Sequence, residues 1–240
     1  MDNRKKKKEK IKFILLVIIG GSTLIMPLWK KNLKNLSPAE AYKLLEKARW
    51  KGDKELFRKL CYFPPGTPQE EIQKSIERAV FSPEDRKYMV EIRMWYCMRE
   101  GIMYEKILSP DTAIVGVGDH ILFIGPMIPA EEMIMKKENG IWKFYQSASS
   151  LCYEGKECLE FIKKFPKEPC IYYYLGEKYY HPRPVRTVKY WEKYLKLAPN
   201  GMWAKRIRES IEGEKEFIKK KYANCLLYTS DAADEGLGVD

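Results

Sequence analysis

Residues 131–146 read EEMIMKKENGIWKFYQ. Two apolar-rich runs flank Asn139-Gly140. That dipeptide is a strong hairpin signal, because both central residues of a type I′ turn need φ > 0. Working upstream, HILFI (120–124), TAIVGVG (112–118) and IMYEKIL (102–108) are short, β-rich and separated by Gly, Asp and Pro. Breaks of that composition punctuate strands. The spacing predicts an antiparallel meander.

Before the strands the pattern is helical. Ser37, Pro38 and Glu40 supply an N-cap, an N1 proline and an N3 acid, the signature of a helix start. Ala41, Leu44, Leu45 and Ala48 follow at helical spacing. Gly52-Asp53 ends this helix and begins another that runs through Leu60. Pro64 to Pro68 reads as a turn, and Thr67 with Glu70 is expected to open a third helix. Ser82-Pro83 opens a fourth helical segment, EDRKYMVEIRMWYCMREG. Helices followed by an antiparallel meander give an α+β class.

The stretches SPAEAYKLLEKARWKGD, DTAIVGV and MKKENGIWKF resemble the nuclear transport factor-like, cystatin-like cone, over about residues 37–149. The resemblance implies a cone-shaped antiparallel sheet with packed helices, a domain that bacterial extracytoplasmic proteins often carry. It implies no single function, since enzymes, ligand pockets and interaction domains share that fold.

Residues 150–224 have another texture. Phe165-Pro166 and Ala198-Pro199 each close an amphipathic run, and between them stand Tyr172, Leu175, Gly176 and Tyr179 as Y-x-x-L-G-x-x-Y. This resembles a tetratricopeptide repeat one residue short of its ~34-residue period. The resemblance implies an α-helical hairpin. Gly176 permits close helix contact, Thr187 and Trp191 fill the second helix's knobs, and Pro199 punctuates the end. KECLEFIKKFP resembles a preceding half-repeat, and Trp203, Ile207 and Ile211 form the stripe of a capping helix. So short an array needs either a surface to pack on or further repeats, since ~3 are usually required.

Helical spacing predicts that Tyr172, Leu175 and Tyr179 face the partner helix. It places Tyr173, Glu177 and Tyr180 on the concave face, where repeats of this kind hold peptides. These three are the candidate partner contacts.

The chain opens with a basic tail, residues 1–12, and seventeen uncharged positions follow at 13–29. A helix of that length rises ~25 Å, and snorkelling lysines extend it toward the ~30 Å hydrocarbon core. The basic flank predicts a single transmembrane span with its N-terminus in the cytoplasm. Residues 30–36 are then a linker, and the folded part is extracytoplasmic. A cleaved signal, giving a secreted or periplasmic protein, is the alternative, although no A-x-A-like site follows the apolar run.

At the other end, Cys225 to Glu235 reads CLLYTSDAADE. This resembles one translated frame of a transposase adapter used in sequencing libraries, and residues 225–240 are read as non-native. The native protein is then expected to continue past residue 224. The full chain has a net charge of +11. The last sixteen residues carry four acidic side chains and no basic one, so the remainder stands at +15. Its lysines alternate with glutamates, the pattern of a solvated surface, and no nucleic-acid partner is expected.

Neither His120 nor His181 sits in a metal-ligand spacing, and no phosphate loop or nucleophile motif occurs. No cofactor is expected. Asp119-His120 lies at a predicted turn and could serve as an acid–base pair in a pocket of the cone. Cys152 and Cys158 either form a local disulfide or stay as buried thiols. The leading expectation is a non-enzymatic, membrane-anchored scaffold of the bacterial envelope that docks a protein through its repeat. The alternative is a small-molecule pocket in the α+β domain.

Overall fold

The computed structural model describes residues 32–91, 101–120, 127–154, 156–180 and 182–222. The predicted membrane span, the adapter-like tail and His181 lie outside these. Among the described residues no helix is long and apolar enough to cross a membrane.

Helix α1 (Pro38–Lys51) starts at a complete capping box. The Glu40 amide donates to Ser37 Oγ at 3.3 Å, and the Ser37 amide donates to Glu40 Oε2 at 3.0 Å. Ser37 Oγ also donates to Glu105 Oε2 at 2.8 Å, which ties the helix start to the sheet. Gly52 ends α1 at φ 79°, a left-handed conformation that suits glycine. Asp53 then caps α2 (Lys54–Leu60) through the Leu56 amide. Helix α3 (Gln69–Ala79) corrects one expectation. Its N-cap is Pro68, without a side-chain cap, and Thr67 instead donates its hydroxyl to the Pro64 carbonyl at 2.7 Å. The hydroxyl closes the preceding turn. Helix α4 (Pro83–Glu91) starts as expected at Ser82, which exchanges hydrogen bonds with Asp85.

Among the described residues four strands follow: β1 (Gly101–Ser109), β2 (Thr112–His120), β3 (Met127–Glu138) and β4 (Ile141–Ser147). They form an antiparallel sheet in the order β1-β2-β3-β4. Asn139 and Gly140 turn the last hairpin at φ 53° and 82°. The fold is mixed α+β, as the sequence predicts.

Both faces of the sheet are covered. Ala113, Val115, Val117, Met133, Met135 and Trp142 pack with α1–α3. Ile114 and Ile134 point the other way, into a core shared with the C-terminal helices. Those are α5 (Ala148–Glu154), α6 (Lys156–Lys164), α7 (Pro169–Tyr179), α8 (Pro184–Leu197) and α9 (Ala204–Tyr222). The expected junction near residue 150 falls inside α5. The helical part packs on the sheet and shares its core, the first of the two options open to so short an array.

Helix α7 is apolar around most of its circumference, with residues 170–176 all buried. A helix of that kind belongs in an interior. It forms a hairpin with α8. Trp191 lies against Gly176, where an added Cβ would stand 2.2 Å from the indole Nε1. Thr187, fully buried, donates to the Gly176 carbonyl at 3.2 Å. Tyr179 stacks on Tyr190 with centroids 5.8 Å apart. Tyr172 and Leu175 are buried in the same core, and Pro199 follows the end of α8.

Candidate functional site

The predicted docking trio is not a docking surface as drawn. Tyr173 is 2% exposed, and its ring stacks on Trp203 at 4.3 Å and 6°. Trp203 and α9 cover the face that spacing alone leaves open. Glu177 is half-buried and pairs with Arg206 at 3.0 Å, so its carboxylate is committed to α9. Burial raises its pKa, and Arg206 works against that. Tyr180 alone keeps substantial exposure, at 37%.

Asp119 and His120 stand at the end of β2, opposite Ile128 and Met127. Their side chains lie outside the description. Among the described residues no group of three or more His, Cys, Asp or Glu is placed to hold a metal ion. Cys152 and Cys158 are buried free thiols with sulfurs 3.2 Å apart. The sulfur contact with Cys158, then burial, pushes the Cys152 thiol up. Burial likewise takes Cys61 up to about 12.

Two charged residues on the second face of the sheet escape a reading by spacing. The first is Glu132 on β3, 1% exposed. Three donors converge on its carboxylate: Tyr174 Oη at 2.7 Å, Trp203 Nε1 at 2.7 Å and Tyr104 Oη at 3.1 Å. They come from α7, the start of α9 and β1. Gly116, beside Tyr104 on β2, makes the room, since a Cβ there would stand 2.2 Å from the Tyr104 ring. Burial pushes the Glu132 carboxyl up to about 7, and its hydrogen bonds from Trp203, Tyr174 and Tyr104 oppose the rise. Buried, and with its hydrogen bonds drawn from α7, β1 and the start of α9, this group binds the helices to the sheet.

The second is Lys136, four residues further along β3 on the same face. It forms the floor of a cleft of about 230 Å³ between the sheet and α6. Its ammonium stands 3.5 Å from the centroid of Tyr145 and 4.8 Å from that of Tyr62. The two rings meet edge to face at 5.5 Å. Tyr145 reaches this face by ordinary alternation, since Trp142 and Phe144 pack on the other. Ile134 pairs with Gln146 and Met135 with Phe144, so Tyr145 is the extra residue of a β-bulge. The Tyr145 hydroxyl donates to Glu157 Oε2, which also accepts from Gln146 Nε2 at 3.1 Å.

Helix α6 supplies the outer wall with Glu157, Glu160, Phe161 and Lys164. Burial lowers the Lys136 pKa, while Glu157 raises it. Among the described residues no carboxylate lies within ion-pair distance of this ammonium. A partly desolvated cation, braced by aromatic faces and facing open space, is an arrangement for holding an anionic group.

The signal for both residues was parity. Glu132, Ile134 and Lys136 share one face of a strand, and that face proves to be the one under the helices. Comparisons with protein-family models, with curated proteins and with solved structures gave no match to this chain.

Proposed function

We propose that the protein is a membrane-anchored, extracytoplasmic binding protein rather than an enzyme, and that it takes its ligand in the cleft between the sheet and α6. The observation that carries the binding reading is Lys136, held between Tyr62 and Tyr145 on an open floor without a carboxylate partner among the described residues. The anchor rests on the uncharged run 13–29 behind its basic flank. The α+β part is read as a nuclear transport factor-like cone, on the strength of its helices-then-meander order. The helical hairpin is read as a tetratricopeptide-like repeat, supported by the Gly176, Thr187 and Trp191 packing.

Docking of a partner protein on the helical hairpin is the second reading. Tyr180, exposed at the end of α7, favours it. The burial of Tyr173 removes the centre of the patch.

Thermal unfolding of the full chain in detergent micelles, with a panel of small amphiphilic carboxylates, tests the cleft. A stabilised transition that disappears in Lys136→Met supports it. A shift that survives the substitution places the ligand elsewhere. For the anchor, external protease should remove the domain from spheroplasts, and alkaline carbonate should leave the residual fragment in the membrane. Protection from protease would reverse the topology.

A further inference from the structure

The cleft's charges come in opposed pairs, and that selects a ligand. Lys136 on the floor faces an α6 wall that carries Glu157, Glu160 and Lys164, across a space with an apolar lining that includes Ile134 and Phe161. Some of these charges are already committed. Glu157 takes two hydrogen bonds on Oε2, and Lys164 reaches Asp111 at 3.8 Å. Among the described residues, Lys136 and Glu160 have neither an ion-pair nor a hydrogen-bonding partner. The charged groups left without an ion-pair or hydrogen-bonding partner are therefore one cation, on the floor against the Tyr145 and Tyr62 rings, and one anion, on the α6 wall.

A purely anionic ligand would gain Lys136 but meet two glutamates. A purely cationic ligand would meet two lysines. A ligand with both charges meets a complement at each end. The volume sets its size. About 230 Å³ falls below the ~300–1,000 Å³ of sites for drug-sized molecules. The aromatic side chains of Tyr145, Phe161 and Phe165 suit an apolar body between the charges.

We infer that the cleft binds a small zwitterion with an apolar body, an amino acid or the paired termini of a dipeptide, its carboxylate on Lys136 and its ammonium toward Glu160. This rests on the reading of the cleft as the binding site, and the two can fail separately.

The test is calorimetric titration of the full chain in micelles at neutral pH. Phenylalanine carries both charges, 3-phenylpropanoate only the carboxylate and 2-phenylethylamine only the ammonium. Phenylalanine is expected to bind about tenfold or more tighter than either half-ligand, the scale of one charge-assisted hydrogen bond. Lys136→Met and Glu160→Gln should each weaken phenylalanine about tenfold, whereas Glu160→Gln should not weaken 3-phenylpropanoate, from which it removes an opposing charge. Glu160 is exposed, so that variant keeps the test valid if Lys136→Met fails to fold.

Alanyl-phenylalanine separates the two sources. Tighter binding than phenylalanine assigns a dipeptide, weaker binding a free amino acid, and both support the zwitterion. If 3-phenylpropanoate binds as tightly as phenylalanine and Glu160→Gln changes nothing, the zwitterion is overturned while the cleft stands. If no probe binds, or binding ignores Lys136→Met, both fall.

Discussion

Tyr174 meets Glu132 twice: its hydroxyl accepts from the Glu132 amide at 3.1 Å and donates to Glu132 Oε2 at 2.7 Å. One phenol thus fixes both the backbone of β3 and a buried carboxyl. The carboxyl is raised from 4.5 to about 7, chiefly by burial. The folded state therefore holds this proton more tightly than the unfolded chain. Below pH 4.5 the contribution is whole. Between about 4.5 and 7 the unfolded chain has released the proton and the folded one has not, so stability falls as pH rises. The loss totals on the order of 3 kcal/mol and levels off above pH 7. Urea unfolding from pH 4 to 8 should show this decline, and Glu132→Gln should remove it. A variant with the wild-type slope would assign the pH dependence to other groups.

Gly176→Ala is expected to destabilise although alanine is the better helix former. The propensity gain is ~1 kcal/mol. Against it, the new methyl lands 2.2 Å from the rigid Trp191 indole, and overpacking costs ~1–3 kcal/mol. Trp191 Nε1 is buried without an acceptor among the described residues. Trp191→Phe removes that orphan donor and shrinks the ring. The double variant should therefore be more stable than the two losses added together, a coupling read from a denaturant double-mutant cycle.

Ser37→Ala removes the helix cap and the link to Glu105 in one step. Loss of such a cap costs ~1 kcal/mol. Ser37→Asp should restore the cap but set a second carboxylate against Glu105, and so recover only part of the loss. Thermal unfolding of the three chains gives the order.

The Cys152 and Cys158 sulfurs, 3.2 Å apart, need only a small approach to reach the ~2.05 Å of a bond. A mild oxidant should join these two before Cys61 or Cys170. Peptide mapping without reductant would show the 152–158 cross-link. Its absence after complete thiol loss would mean that the α5–α6 corner resists the required approach.

Local chemistry was legible where it acts locally. Ser37 to Glu40, Gly52-Asp53 and Asn139-Gly140 each specify their turn or cap within four residues, and each stands as read. The Gly176, Thr187 and Trp191 packing was also legible, through the resemblance of this stretch to a helical repeat. What spacing cannot supply is the partner that arrives from elsewhere. Tyr173 reads as exposed on a helical wheel until Trp203, thirty residues on, stacks over it. Glu132 draws its donors from positions 104, 174 and 203. The Lys136 cleft depends on Tyr62 and helix α6, which reach it from outside the strand pair. Thr67 shows the same limit at short range, where its hydroxyl donates to the Pro64 carbonyl instead of accepting from a helix amide.

Helix α7, walled in on nearly every side, also dictates a timetable. The sheet is complete at Ser147, and the chain that covers its second face runs to Tyr222. At ~5–20 residues per second, a ribosome needs roughly 4–15 s to make that stretch. For that interval Ile114, Ile134 and the Glu132 carboxyl face water, and the nascent sheet is adhesive. The last helices are therefore the protein's own late-arriving chaperone, and any early stop between 148 and 203 should send the product to inclusion bodies or proteases instead of yielding a smaller folded domain.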